Sequence, residues 1–295
     1  MTLAVGTARA SVIAAPGRVE SVTRPAPLPP PGEVVIRLEG CGVCASSLPL
    51  WEGRPWFSYP LEAGAPGHEA WGRVERVGDG VTTLAPGQRV ATLSLHGFAE
   101  LDVVASQACV PLPRELDGLP FPGEAFGCAY NVAERARVMP GQRVAVVGMG
   151  FLGSAIAALC RHLGATPVPV TRGSNVEESF ERVIEAAGTQ ESLDVASRLV
   201  AESGLLVIAG YHQDGPRSVD IQSWNWRGIE IVNAHERSQA RQAAGIAHAA
   251  RLAAAGVLDV EHLCSHVYPA DRLGDAFMAA RLRPPGFVKA VVMAA

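Results

Sequence analysis

The sequence predicts an α/β chain of two domains, one β-rich and one built on a doubly wound parallel sheet. Three observations predict it. At 295 residues the chain is long for one domain and comfortable for two. Its first third is dense in strand and turn signals and poor in helix patterns. Beyond Glu124, an apolar strand, a glycine loop, a helix and a second strand follow in turn, the opening of a βαβ unit.

The elements read in order as follows. The alternation of Ala10, Val12 and Ala14 suits an opening strand better than a signal peptide, since Arg9 interrupts the apolar run and no basic start precedes it. PLPPPG (27–32) is an extended connection. GEVVIRLEG (32–40), AWGRVERVG (70–78) and QRVATLSL (88–95) are strands bounded by Gly or Pro. AFGCAYNVAERARV (125–138) carries Ala125, Cys128, Val132 and Ala136 at helical spacing. RVAVVG (143–148) is a strand, FLGSAIAALCRHLG (151–164) a helix and TPVPV (166–170) a strand. NVEESFE (175–181) reads as a short helical piece and ESLDVASRLVAES (191–203) as a helix. LLVIAG (205–210) and GIEIVNA (228–234) read as strands. A long amphipathic helix is expected over 236–258, and the chain closes with a helix between two strand-like pieces.

Composition narrows the function. The chain is 48% hydrophobic and 18% charged, enough to bury a sizeable core. Its net charge of -4 and the lack of a basic stripe argue against nucleic acid or an anionic membrane as partner. No apolar run reaches the length of a membrane span. The six cysteines form no disulfide framework. The expected setting is a cytoplasmic one.

GMGFLG (148–153) fits G-x-G-x-x-G, and its flanks give it weight, because an apolar strand precedes it and a helix begins inside it. Gly148 permits the tight turn, Gly150 lets a pyrophosphate approach the backbone, and Gly153 lets the helix pack on the strand. Phe151 and Leu152 open that helix, whose N–H groups and dipole favour phosphate. An NAD site places a carboxylate about 20 residues on, at the end of the second strand. Here Thr171, Arg172, Gly173 and Ser174 stand there instead. An arginine flanked by hydroxyls suits a 2′-phosphate, so NADP(H) is favoured over NAD(H). The plainer reading of Arg172 is a solvated surface arginine.

GCGVC (40–44) and GHE (67–69) supply a thiolate, an imidazole and a carboxylate from separate loops. A catalytic zinc needs three protein ligands and an open position, and Cys44 and His68 offer two of them. Glu69 could coordinate or exchange with substrate. A redox or structural-zinc role for Cys41 with Cys44 lacks a second C-x-x-C to complete it.

GCGVCASSLPLWEG, GHEAWGRVERVGDGV, PGQRV and GFAE occur in the order of the zinc-binding half of medium-chain alcohol and polyol dehydrogenases. GMGFLG, LLVIAGYH and RPPGFVKAVV continue the resemblance to the C-terminus. The chain thus resembles the medium-chain dehydrogenase/reductase superfamily. The resemblance implies a GroES-like catalytic domain over 1–126 and 236–295 and a Rossmann dinucleotide-binding domain over 127–235.

It also implies roles. Glu124 falls at the family's third zinc-ligand position, as in the polyol and threonine branches, and Cys128, one helical turn on, is the alternative. Ser46 matches the hydroxyl that bonds the substrate oxygen and passes on its proton. Gly210 and Tyr211, with His212, follow LLVIAG where relatives meet the nicotinamide. Arg237 could hold the pyrophosphate, and His235 could relay protons. Trp51, Trp56 and Phe57 could wall the pocket or lie in the core.

Three departures stand out. Only TLSLH (92–96) replaces the structural-zinc lobe, so one catalytic zinc and no structural zinc is expected. Ser47 stands where relatives place an Asp that orients the zinc-bound histidine, and Pro49 where some place a relay histidine. The cofactor domain is trimmed by about one strand.

The expected function is zinc-dependent hydride transfer between NAD(P)(H) and a small-molecule alcohol or carbonyl, with a polyol, sugar or cyclitol indicated by Glu124. A homodimer or homotetramer is the usual assembly. A zinc-free NADPH-dependent enoyl or quinone reductase and a non-catalytic dinucleotide-binding protein are the alternatives.

Overall fold

The computed structural model describes residues 6–213 and 215–294, and they divide into two compact units. Of the described residues, the first comprises 6–127, 238–254 and 259–294, and the second comprises those within 128–237 together with 255–258.

The first unit opens with a hairpin of β1 (Thr7–Ala15) and β2 (Arg18–Pro25), turned at Gly17 with φ +67°. Next come β3 (Glu33–Gly42), the short α1 (Leu48–Trp51), β4 (Glu69–Val77), β5 (Arg89–Thr92), β6 (Leu101–Ala105) and β7 (Cys109–Pro111). The strand expected over 88–95 ends at Thr92. The helix α2 (Gly123–Arg135) follows, and the division between the units falls within it.

The second unit continues with β8 (Arg143–Val147), α3 (Phe151–His162), β9 (Thr166–Val170), β10 (Phe180–Glu185), α4 (Gln190–Leu199), β11 (Val200–Ile208), the short α5 (Ile221–Trp226) and β12 (Glu230–Asn233). The remaining elements are α6 (Gln239–Ala254), α7 (Val260–Leu263), β13 (His266–Pro269), α8 (Leu273–Leu282) and β14 (Ala290–Met293).

In the first unit the strands run β13-β14-β3-β4-β5-β7, with β6 on β3. β3 pairs antiparallel with β4 so that Gly42 lies opposite Glu69. That register sets the end of β3 beside the start of β4, where the candidate metal ligands stand. Ile13, Val34, Ile36, Leu38, Val74, Val90, Phe98 and Phe277 fill the core beneath. Trp51 belongs to this core and not to a pocket wall. It is 4% exposed and stacks on Phe277 at 5.0 Å. A fully buried aromatic of this kind contributes about 2–3 kcal/mol.

In the second unit five parallel strands run β12-β11-β10-β8-β9. The edge strand β9 carries Pro167 and Pro169. Thr166 donates to Gln142 and Val170 accepts from Gly148, so the even-numbered residues face β8. The prolines therefore fall on the outer edge, where their missing N–H groups cost no ladder bond and offer none to a further strand.

Two sequence expectations fail here for one reason. Residues 174–179 form no helix, and 200–203 leave the helix for β11. Phe180 is 3% exposed, pairs with Val200 in the parallel ladder and lies under the Arg143 guanidinium at 5.9 Å. Burial of Phe180 and Val200 outweighs the local helical tendency of the segments on either side. The long helix also starts later than expected, at Gln239. Glu236, 7% exposed, is instead held by Arg135 at 3.0 Å.

Candidate functional site

Cys44 follows the end of β3 and opens a tight turn over Ala45–Ser47. Ser46 Oγ lies 3.1 Å from Cys44 Sγ and donates to it. His68 immediately precedes β4. Its Nδ1 sits 2.9 Å from the Pro66 carbonyl oxygen. With Nδ1–H held by a carbonyl, Nε2 is the ring atom left to give up its proton and take a metal. The backbone carbonyl of Pro66 thus orients His68.

One donor atom from each of Cys44, His68 and Glu69 lies within 4.8 Å of the other two, the metal-capable group among the described residues. A thiolate, an imidazole and a carboxylate fit zinc by donor chemistry and number. Burial works against a charge on His68. The Cys44 thiolate, by hydrogen bond and by charge, together with Glu69 and Glu124, overrides this and raises the imidazole to about 10. So dense an anionic cluster is what a divalent cation neutralises.

Glu124 stands in the first turn of α2, within charge range of Glu69, His68 and Lys289. Burial and the Glu69 charge push its carboxyl up to about 7. Neither Glu124 nor the half-buried Cys128 belongs to the close three-residue group. Cys41 is buried, and burial followed by the Glu69 charge raises its thiol well above the usual value, as suits an inert core cysteine. None of the six cysteines is in a disulfide.

Glu69 has a partner the sequence reading missed. Lys289 Nζ lies 2.8 Å from Oε1 and 2.6 Å from Oε2, with Glu69 1% exposed and Lys289 5%. A Cβ at Gly42 would overlap the Glu69 carboxylate, so glycine there makes room for the pair. Lys289 is the chain's one lysine, set in the apolar run FVKAVVM. A chain that otherwise uses only arginine as its permanent cation signals a special place by that choice.

In the second unit the glycine loop has the geometry its pattern requires. Gly148 has φ +96°, and a Cβ there would crowd Ala187. Gly150 is extended at the start of α3, and no side chain caps that start. A Cβ at Gly153 would overlap the Gly148 carbonyl oxygen. Phe151 and Leu152 open α3.

Beyond β9, Thr171 and Ser174 close a turn, with Thr171 N–H donating to Ser174 Oγ at 3.0 Å and Ser174 N–H donating to the Thr171 carbonyl at 3.0 Å. Gly173, at φ +83°, completes it and leaves Arg172 exposed. A Cβ at Gly210 would strike the Gly188 backbone and the Glu185 carboxylate, while Tyr211 is 64% exposed. Arg237 is exposed and lies 3.4 Å from His235. Trp56 is 62% exposed and packs against Phe57.

Known proteins resemble this chain in sequence and in fold. Residues 30–114 match the alcohol dehydrogenase GroES-like domain. L-galactonate-5-dehydrogenase of Escherichia coli is 23% identical over 91% of this chain and 94% of its own length. A Mycobacterium tuberculosis protein named "Probable zinc-binding alcohol dehydrogenase" is 26% identical over 93% of this chain and 86% of its own. The thermostable alcohol dehydrogenase of Pyrobaculum aerophilum superposes with a TM-score of 0.83 at 23% identity, covering 98% of this chain and 100% of that one. No described helix is long and apolar enough to cross a membrane. The domain match, the near-full-length alignments and the two-unit α/β fold agree: residues 30–114 match a GroES-like alcohol dehydrogenase domain, and the chain as a whole is similar to zinc-binding alcohol and sugar-acid dehydrogenases.

Proposed function

We propose that this chain is a zinc-dependent oxidoreductase that moves a hydride between NADP(H) and an alcohol or carbonyl substrate. Its first unit would be the catalytic domain and its second the cofactor domain. The observation that carries the reading is His68, fixed by the Pro66 carbonyl at Nδ1 and gathered with Cys44 and Glu69 into a group whose donor atoms lie within 4.8 Å of one another.

Cys44, His68 and Glu124 would hold the zinc, with Glu69 as an exchangeable carboxylate and Cys128 as the alternative third ligand. Bound there, zinc supplies Lewis-acid stabilisation of alkoxide character. Ser46 Oγ, held beside Cys44 Sγ, would bond the substrate oxygen and take up its proton. Lys289 balances the Glu69 charge, which keeps that carboxylate from saturating the metal.

Gly148, Gly150 and Gly153 would admit the pyrophosphate to the start of α3. Arg172, with Thr171 and Ser174, would hold the 2′-phosphate, and no carboxylate stands in that turn to favour NAD. Arg237 is the further candidate for the pyrophosphate. The acidic third ligand, and a relative named for a sugar-acid substrate, favour a polyol, sugar or cyclitol. A cytoplasmic homodimer or homotetramer completes the reading.

Elemental analysis of protein purified without added metal tests it. About one zinc per chain is expected, lost in Glu124→Ala and kept in Cys128→Ala. Absence of zinc from the wild type, even after zinc is offered, sinks the mechanism.

A further inference from the structure

We propose that Glu185, His212 and Arg217 form a clamp that fixes the loop after β11 and thereby sets the grip of the second unit on the nicotinamide half of the dinucleotide. The inference rests on the dinucleotide reading above and extends it to residues outside the glycine loop.

Glu185 ends β10 and is fully buried. A buried carboxylate must be met by donors. Here its Oε1 accepts from the backbone N–H groups of Ala187 and Gly188 and from Ser192 Oγ, each at 2.7 Å. Its Oε2 is 3.0 Å from His212 Nε2. The other ring nitrogen, Nδ1, lies 3.0 Å from Arg217 Nε, which can only donate. The tautomer is thereby fixed, with His212 neutral, accepting at Nδ1 and donating from Nε2. Arg217 Nη2 also donates to the Gly188 carbonyl at 3.2 Å. The three side chains thus tie residues 210–213 and 215–217 to the loop after β10.

Backbone contacts extend the knot. A Cβ at Gly188 would crowd the Tyr211 backbone, one at Gly210 would strike Gly188, and one at Gly148 would crowd Ala187. The loops after β8, β10 and β11 are therefore packed together at the carboxyl ends of three neighbouring strands. An open parallel sheet binds its ligand at those ends. The pyrophosphate belongs at the glycine loop after β8, and the adenosine ribose at the end of β9 on one side. The other half of the dinucleotide must then run over β10 and β11, where the clamp lies and the exposed Tyr211 stands. These are positioning residues, since each acts by holding the loop.

The donor and acceptor pattern gives the test. A glutamine at 212 offers an amide donor to Glu185 and an oxygen acceptor to Arg217, as the neutral ring does, and a leucine offers neither. The wild type, His212→Leu, Arg217→Ala and His212→Gln would be titrated with the reduced dinucleotide that the wild type prefers, NADPH or NADH. Each would also be titrated with the matching adenosine half, adenosine 2′,5′-bisphosphate or AMP, with melting curves taken alongside. His212→Leu and Arg217→Ala should bind the whole dinucleotide about tenfold more weakly and the adenosine half within about twofold of wild type, while His212→Gln stays near wild type for both. Unchanged dinucleotide binding in His212→Leu and Arg217→Ala, or equal loss of both ligands, overturns the clamp while the functional reading stands. A wild type that binds neither dinucleotide overturns both.

Discussion

Lys289 Nζ lies 2.8 Å from Glu69 Oε1, a buried ion pair bridging residues 220 apart in sequence. The start of β4 and the start of β14 therefore depend on each other through a single charge pair next to the Cys44–His68 site. Removing one partner leaves a buried charge without compensation. Lys289→Met should lower the stability of the metal-free protein by about 3–5 kcal/mol in urea unfolding. Lys289→Met combined with Glu69→Gln should cost clearly less. Equal losses in the single and double variants would refute the pairing argument.

Gly153 faces the Gly148 carbonyl with no room for a methyl group. Gly153→Ala should force α3 away from β8, at about 1–3 kcal/mol, and abolish measurable dinucleotide binding. Calorimetric titration of the folded variant checks it. Binding at wild-type strength would mean that the helix does not pack as closely as described.

Arg172 stands exposed on the turn closed by Thr171 and Ser174. As the ligand of a 2′-phosphate, it should matter to one cofactor only. Arg172→Ala is expected to weaken NADPH about tenfold and leave NADH unchanged. Equal effects on the two, read by fluorescence titration, would assign Arg172 to the solvated surface.

Burial holds the Asp102 carboxyl above its ordinary range, although Ser94, His96, the Val103 N–H and Arg24 work the other way. A folded-state value raised in this way means that the folded protein binds the proton more tightly than the unfolded chain. The stability it confers is present in full below the unfolded value of about 4 and is lost as pH rises through the folded one. Asp102→Asn should therefore gain stability relative to wild type as pH is raised from about 4 to about 7. Melting temperatures across that range decide it, and a constant difference would contradict the assignment.

Much of this was legible in sequence because it is local. The strand, glycine loop, helix and strand from Arg143 to Val170 follow from hydrophobic period and from glycines whose spacing has a steric meaning. Cys44, His68 and Glu69 announced themselves as unlike donors on short motifs. What was missed is tertiary. Nothing near Glu69 in sequence points to Lys289, although a lone lysine in an apolar run was a usable signal. Glu185 hides in RVIEAAG, where only an acid inside an apolar strand hinted at a buried network. The stretch before Phe180 looked helical by local pattern and was decided by the pairing of Phe180 with Val200. The hold on His68 was hidden as well, because it comes from the Pro66 carbonyl, and backbone atoms carry no sequence signature.

Hydride transfer by this chain is expected to require a zinc held at the Cys44–His68 site. The most direct measurement follows nicotinamide absorbance with a panel of polyols, sugars and simple alcohols, and of their carbonyl counterparts, using zinc-loaded protein, the same protein stripped by a chelator, and the stripped protein after zinc is returned. Turnover with at least one substrate, its loss on stripping and its return with zinc are expected. Undiminished turnover in protein shown to be free of zinc would contradict that requirement.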